Sequence, residues 1–570
     1  MPNALRSPKN NESHVYGDDR LPLKKLTIPE MFASAVETFG SRNAVFFAEE
    51  DQRLSYDELS EEVDKLASGF IALGLEKGDR IGIWSPNRLE WLLTQFATAR
   101  IGLIMVNINP AYRLSELEYA LNKVECKALV TAVNFKTSGY TDMLRSLAPE
   151  LDHCNVGALK SEKLPHLRIV IKMEAEKILG MYNFEDVKSL ASPERGVQLD
   201  VVTKTLLPDE PINIQFTSGT TGSPKGATLT HSNILNNADC VTAALKFTPE
   251  DRLCIPVPLY HCFGMVMGTL GCVTKGASMV FPGQGFEPAK TLEVASQEKC
   301  TALYGVPTMF VAMLEDPGFS SYDFSALRTG IMAGAPCPIE VMKKVVSDMN
   351  MSQVTIAYGM TETSPVSFQS DVDDSLERRV TTVGRIMPHV EVKVVDEQGG
   401  TVSIGNKGEL WTRGYSVMQG YWGEAEKTAE TIVDGGWMKT GDLAILDDHG
   451  YCNIVGRVKD MIIRGGENIY PREVEEFLYG NPKIREVQVF GVPSERLGEE
   501  VCTWIVLHPG DQSSEDEIRD YCHGQIAHYK IPKFVRFKEE LPMTVTGKPQ
   551  KFLMRDAMVL ELGIQVSKTA

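Results

Sequence analysis

Positive charge is in short supply in this chain. Its 58 lysines and arginines stand against 76 aspartates and glutamates, for a net charge of −18. A nucleic-acid surface needs a basic face, so nucleic acid is excluded as the main partner, while small anions needing only a local cradle are not. There is also no apolar run of membrane-spanning length; the nearest approach, residues 255–273, is broken by Pro258, His261 and several glycines. The eleven cysteines contain no Cys-x-x-Cys pair, which argues against a zinc site or a redox framework. Their odd number, without a secretory leader, points to reduced thiols. The start of the chain carries Arg6 and Lys9 and then turns acidic at Asp18-Asp19, unlike an arginine-rich mitochondrial presequence. The end, Ser567-Lys568-Thr569-Ala570, is not a peroxisomal tripeptide. The expected location is cytoplasmic, with the mitochondrial matrix as the alternative if a presequence is missing from this chain.

What is present is alternation. At 570 residues the chain exceeds a single hydrophobic core. Apolar residues at 63, 66, 67, 70, 71 and 73 predict a helix, 80–85 a buried strand and 91–101 the next helix. Segments 297–304, 342–349 and 354–358 continue the pattern, which signals βαβ units and a parallel sheet. Segments 391–395 and 408–413 read as short alternating strands of a small barrel-like subdomain. Past residue 460 come a helix (472–479), two strands (487–491, 501–507), a helix (515–525) and a strand (534–537). The expected architecture is α/β. A large N-terminal domain (1–456), with parallel α/β subdomains and a β-barrel-like one, is joined by a hinge (457–460) to a small mobile α+β domain (461–570).

The most informative segment is Thr217-Ser218-Gly219-Thr220-Thr221-Gly222-Ser223-Pro224-Lys225-Gly226, directly after an apolar run. Glycines let backbone N–H groups approach an anion, and hydroxyls and an ammonium add donors; this is the chemistry of a polyphosphate cradle. It is not a Walker A loop, which needs glycine before the lysine and serine or threonine after it. Pro224 has no N–H to offer and Gly226 no hydroxyl. Alone, the segment reads more readily as a surface turn.

Its companions change that. Tyr358-Gly359-Met360-Thr361-Glu362, Thr440-Gly441-Asp442, Gly456-Arg457-Val458-Lys459-Asp460, Gly465-Gly466-Glu467-Asn468-Ile469-Tyr470-Pro471 and Gly547-Lys548 follow in order, and Leu54-Ser55-Tyr56-Asp57-Glu58-Leu59 precedes it as a weaker signature. The series resembles the adenylate-forming superfamily, which includes acyl-CoA synthetases, peptide-synthetase adenylation domains and beetle luciferases. Around 213–230, 258–264 and 456–471 the text looks most like medium-chain fatty acyl-CoA synthetases.

That resemblance implies an ATP-dependent, AMP-forming ligase that uses Mg²⁺ and takes CoA as co-substrate. It puts residues 217–224 and Lys225 on the β- and γ-phosphates, Gly334, Ala335, Pro336, Tyr358, Gly359 and Met360 around the adenosine, and Asp442 and Arg457 on the ribose and phosphate. Thr361 would donate to the α-phosphate, Glu362 would hold the metal, and Lys548 would be the mobile catalytic cation. Lys459 would be the hinge, Gly465, Gly466 and Glu467 the CoA-side loop, and His261 a ring lining the acyl channel. Each has a plainer structural reading: a first-turn acid for Glu362, a turn aspartate for Asp442, a surface ion pair for Arg457. Cys262 beside His261 invites a thiol nucleophile; in extended chain, however, neighbours point opposite ways. Gly264, Gly268 and Gly271 among apolar residues leave room for an alkyl chain or allow close helix packing, and no acid lies between 259 and 275 to meet an amine. An uncharged, apolar acid is therefore expected. Adenylation for a separate carrier protein, luciferase-like oxygenation, and a silent nucleotide-binding scaffold stand as alternatives; a binding-only protein has no need of Lys548.

Overall fold

The computed structural model describes residues 7–217, 224–335, 337–465, 467–494, 496–544 and 547–564. Two large sheets dominate it. In one, the strands Gln353–Gly359, Thr329–Ala333, Ala302–Gly305, Arg252–Cys254, Ser278–Phe281 and Asn43–Phe47 lie parallel in that order, with antiparallel strands at both edges. In the other, Ile169–Lys172, Ala128–Thr131, Arg80–Trp84, Ile104–Asn107 and Pro211–Thr217 run parallel, and Lys225–Thr230 and Gly420–Tyr421 close the edge antiparallel. Helices cover both faces, so the central strands read as continuous apolar runs rather than alternating ones. Ile81, Ile83 and Trp84 are all fully buried.

Local chemistry sets the helix ends. The weak signature at 54–59 is a capping box. Ser55 Oγ accepts from the Glu58 N–H at 3.2 Å, and the Glu58 carboxylate accepts from the Ser55 N–H at 2.8 Å, opening the helix Tyr56–Ala72. Thr27 and Glu30 do the same for Ile28–Phe39. The segment with the three glycines is a π-helical turn, Phe263–Leu270, buried along its whole length and holding Gly264 and Gly268, followed by the short α-helix Gly271–Lys275. The glycines serve packing: a Cβ on Gly264 would lie 2.5 Å from the Pro258 carbonyl oxygen, and one on Gly271 would lie 2.8 Å from Thr242 Cγ2. Of the two explanations offered by the sequence, close approach holds at these positions.

The short alternating strands form a third, antiparallel sheet. Its path runs from His14–Tyr16 through Val390–Val395, Gly408–Gly414 and Trp437–Leu446 to Ile432–Val433, with Cys452–Arg457 paired to Trp437–Leu446. Past the 3₁₀ turn Val458–Asp460 the small C-terminal domain has its own five-stranded sheet, built on the long hairpin Ile484–Ser494 and Gly498–Leu507. It has two apolar clusters of its own, one around Val487 and Ile505 and one around Trp504 and Met554. The helices Pro471–Tyr479 and Glu515–Cys522 and the strand Phe534–Phe537 fall where the pattern predicts them.

Candidate active site

The carboxyl ends of the parallel strands converge with the antiparallel sheet on one cluster of polar side chains, the position that open α/β sheets use for ligands. The strand Gln353–Gly359 delivers Tyr358 at its end, and its parallel neighbour Thr329–Ala333 ends beside it, at Gly334. The strand Trp437–Leu446 contributes Asp442, only 4% exposed. Asp442 and Arg457 are cross-strand partners. The Tyr358 hydroxyl donates to Asp442 Oδ2 at 2.5 Å and Arg457 Nε donates to Oδ1 at 2.8 Å. The carboxylate is thus not a turn aspartate but the buried centre of a three-residue network whose arginine reaches solvent. Burial first, and then Asp442, pushes the Tyr358 phenol far above its ordinary value, while Asp442 raises the Arg457 guanidinium.

Glu362 lies in the 3₁₀ turn Thr361–Thr363 next to Tyr358 and is 5% exposed. Its Oε1 accepts from the Tyr421 hydroxyl at 3.0 Å. On the other face of that ring, Lys225 Nζ lies 4.1 Å from the Tyr421 centroid, a cation–π distance. Lys225 opens the strand Lys225–Thr230, across from Thr217, whose hydroxyl donates to the Lys225 carbonyl at 3.4 Å. Pro224 is held through its carbonyl by the Tyr119 hydroxyl at 3.1 Å. Ser218, Gly219, Thr220, Thr221, Gly222 and Ser223, together with Pro336 and Gly466, lie outside the described residues.

Lys548 comes from the far end of the chain. It retains solvent access along the cleft, its N–H bonded to Thr544 Oγ1 at 2.9 Å. The surrounding protein nevertheless pushes its ammonium down, through lost hydration first and Arg457 second, against the pull of Asp442, Glu362 and Asp460. Burial and the Lys548 charge together depress the His261 imidazole to about 4, so it is neutral at physiological pH; its Nδ1 accepts from the Phe263 N–H at 3.2 Å. Cys262 has helical, not extended, backbone. The geometric objection to a Cys262 nucleophile therefore does not hold, but a chemical one replaces it. Burial pushes the thiol up to about 12, and it donates to Gln215 Oε1 at 3.0 Å.

The structure therefore brings Lys225, His261, Tyr358, Glu362, Asp442, Arg457 and Lys548 to one place from six stretches of chain. Gly359, Met360 and Thr361 flank it, and Ala335 follows Gly334. Lys459 sits in the exposed turn that leads out of it. Gly465 and Glu467 belong to the hairpin Ile462–Arg464 and Glu467–Ile469 of the small domain, where the Gly465 N–H donates to the Leu497 carbonyl. Sequence reasoning missed Tyr421 and Tyr119. The only trace of Tyr421 was an aromatic pair after a glycine, Gly420-Tyr421-Trp422, outside every motif used. A cavity of about 280 Å³ adjoins the cluster, lined among others by Asn87, Tyr260, Phe286 and Met309 and, from the small domain, by Thr544 and Gly547.

No group of three or more metal-ligating side chains occurs among the described residues. A magnesium ion brought by a nucleotide takes one or two protein carboxylates and completes its shell with phosphate and water, and the buried Glu362 carboxylate has the chemistry to serve as one. None of the helices of the described residues is long and apolar enough to cross a membrane.

Comparison with known proteins identifies the chain's relatives. The family model for AMP-binding enzymes matches residues 32–422, and that for the AMP-binding enzyme C-terminal domain matches residues 473–548. The chain is 46% identical over 560 residues to the mitochondrial medium-chain acyl-CoA ligase ACSF2 of Danio rerio, covering 98% of this chain and 92% of that one. To its counterpart in Mus musculus it is 47% identical, covering 97% and 90%. Among solved structures, the anthranilate CoA ligase AuaEII in complex with anthranoyl-AMP superposes with a TM-score of 0.83 at 25% identity, over 95% of this chain and 99% of that one. ATP-bound MatB from Rhodopseudomonas palustris superposes with a TM-score of 0.80 at 29% identity, over 93% and 99%.

Proposed function

This chain belongs to the AMP-binding enzyme family, and from that premise we propose that it is an AMP-forming acyl-CoA ligase acting on apolar, medium-chain carboxylic acids. In the first half-reaction a carboxylate oxygen attacks the α-phosphorus of ATP; the bond to the β-phosphate oxygen breaks and pyrophosphate leaves. In the second, the sulfur of CoA attacks the acyl carbon, its proton is lost to solvent and AMP departs. Both steps need charge stabilisation more than acid–base chemistry. The observation that carries the reading is the meeting of Lys548 with Asp442, Arg457, Glu362 and His261. An ammonium brought into the cleft by a separate domain can neutralise charge between a carboxylate and the α-phosphate.

The remaining roles are those that the family resemblance implies. Lys225 and the segment 217–224 hold the β- and γ-phosphates, and Tyr358, with Gly334, Ala335, Pro336, Gly359 and Met360, holds the adenine. Asp442 accepts the ribose hydroxyls with Arg457 as its brace, and Thr361 donates to the α-phosphate. Glu362 would hold Mg²⁺, which when bound offsets the charge of the departing pyrophosphate. Residues 457–460 form the hinge, with Lys459 absorbing the rotation that takes Lys548 out and brings Gly465, Gly466 and Glu467 toward CoA. The domain division 1–456 and 461–570 follows from that hinge. The lack of an acidic residue between 259 and 275 supports an apolar acid, and the names of the relatives support a medium-chain one. Those names also favour the mitochondrial over the cytoplasmic location.

The test is AMP release from ATP and Mg²⁺ across saturated acids from acetate to palmitate, plus benzoate, with and without CoA. CoA-dependent turnover peaking between hexanoate and dodecanoate is expected. Pyrophosphate exchange that CoA does not convert into turnover would move the reading to a carrier-protein adenylator.

A further inference from the structure

Tyr421 touches both halves of the phosphate machinery. Its hydroxyl donates to Oε1 of the buried Glu362, and its ring face carries the Lys225 ammonium at 4.1 Å. The two contacts reinforce each other, because donation to a carboxylate enriches the ring's electron density and a richer ring attracts a cation more strongly. The backbone around Tyr421 ties the same two partners. The Met418 N–H donates to the Glu362 carbonyl at 2.9 Å, and the Trp422 N–H donates to the Gly226 carbonyl at 2.8 Å. Tyr421 pairs with Ala227 and Gly420 with Thr228, so the segment is a short strand laid on the one that Lys225 opens. Gly420 is needed there. Its φ is +150°, and a Cβ would meet Thr428 Cγ2 at 2.8 Å, the residue whose hydroxyl accepts the Tyr421 N–H at 2.9 Å.

We infer that Tyr421 is a positioning residue that couples Lys225 to Glu362, setting the phosphate-binding cation and the metal-binding carboxylate in one register for a metal–nucleoside triphosphate complex. The hydroxyl pins one carboxylate oxygen and thereby fixes the rotation of the other. The ring holds the ammonium beside the end of the phosphate loop rather than in solvent. The inference rests on the ligase reading for its substrate, but its two halves separate chemically. The hydroxyl bears on the metal-dependent part of nucleotide binding, the ring on the metal-free part.

Isothermal titration of ATP, with and without Mg²⁺, into wild type, Tyr421→Phe and Tyr421→Leu distinguishes them. In Tyr421→Phe the ring survives. Metal-free ATP affinity stays within about twofold of wild type, while the gain conferred by Mg²⁺ falls by about tenfold, the scale of a hydrogen bond to a charged group. In Tyr421→Leu, metal-free affinity falls as well, by about tenfold. A thermal unfolding midpoint and circular dichroism spectrum matching wild type show that Tyr421→Phe is folded. A wild-type magnesium gain in Tyr421→Phe, or equal metal-free affinities in Tyr421→Leu and wild type, overturns the inference. Wild-type protein that binds ATP but turns over no acid overturns the ligase reading instead, and the titrations still decide the role of Tyr421.

Discussion

Burial depresses the His231 imidazole to about 3, against a weaker opposing pull from Glu210 and with a small further push from Lys77. The ring is 1% exposed, and its Nδ1 accepts the Ile28 N–H at 3.2 Å, which leaves Nε2 as the protonated nitrogen of a neutral ring. In the unfolded chain the same group titrates near ~6.5. Between those two values the unfolded state binds the extra proton, so stability present above pH ~6.5 is lost as pH falls, by at most ~1.4 kcal/mol per pH unit. His231→Asn keeps an acceptor without the titration. It should flatten the fall in urea-unfolding free energy between pH 6.5 and 4; identical slopes for variant and wild type would place the acid sensitivity elsewhere. At this scale Glu362, Asp442 and Arg457 could be picked out only through the order of motifs and the resemblance it carries, since each alone has a plainer structural reading. Tyr421 could not, because an aromatic between strands is ordinarily core and nothing local marks its hydroxyl as aimed at Glu362.

Elements carry the next part of the argument. The 3₁₀ turn Val458–Asp460 begins where Arg457 leaves its strand and ends two residues before the first strand of the small domain, so any rotation between domains concentrates there. Proline fixes φ near ~−65°. Lys459→Pro should therefore leave pyrophosphate exchange near wild type and slow thioester formation by about tenfold or more. Unaltered thioester formation would remove the hinge from 457–460. The helices and strands themselves were legible from periodicity, since a parallel strand covered on both faces must be a short continuous apolar run and an amphipathic helix must repeat every three to four residues. The turn Phe263–Leu270 was not. A segment apolar on every side has no period to read, and its glycines could equally have lined a channel or met a neighbouring backbone.

Across the whole molecule the decisive fact is that Lys548 and the carboxylates it faces belong to different domains. Arg472 Nη1 donates to the Ile454 carbonyl at 2.6 Å, Lys407 Nζ lies 3.5 Å over the Tyr470 ring, and His508 approaches Glu315 at 3.3 Å. These polar contacts hold the small domain where its lysine lies within the electrostatic influence of Asp442 and Glu362. Contacts of that kind are readily exchanged, unlike a packed apolar core. Lys548→Ala should lower adenylate formation by about a hundredfold or more, the scale of one preorganised charge at a developing anion, and leave thioester formation from supplied acyl-AMP nearly intact. Equal losses in both half-reactions would show that Lys548 serves the site as a whole.

The sequence by itself determined the chemistry available to this protein: a hydroxyl- and glycine-rich loop ending in Lys225, a distal Gly547-Lys548, paired acids and arginine in a constant order, and an alternation that admits only an α/β fold with a second, smaller domain. It determined these because side-chain chemistry and periodicity are local properties. Only the tertiary structure decided which groups meet. That Tyr358 and Arg457 close on Asp442, that Tyr421 stands between Lys225 and Glu362, and that the glycines of 264–271 serve packing are outcomes of strand order and side-chain interdigitation between residues tens to hundreds of positions apart. Such contacts form only once the intervening chain is folded, and no window of sequence contains them.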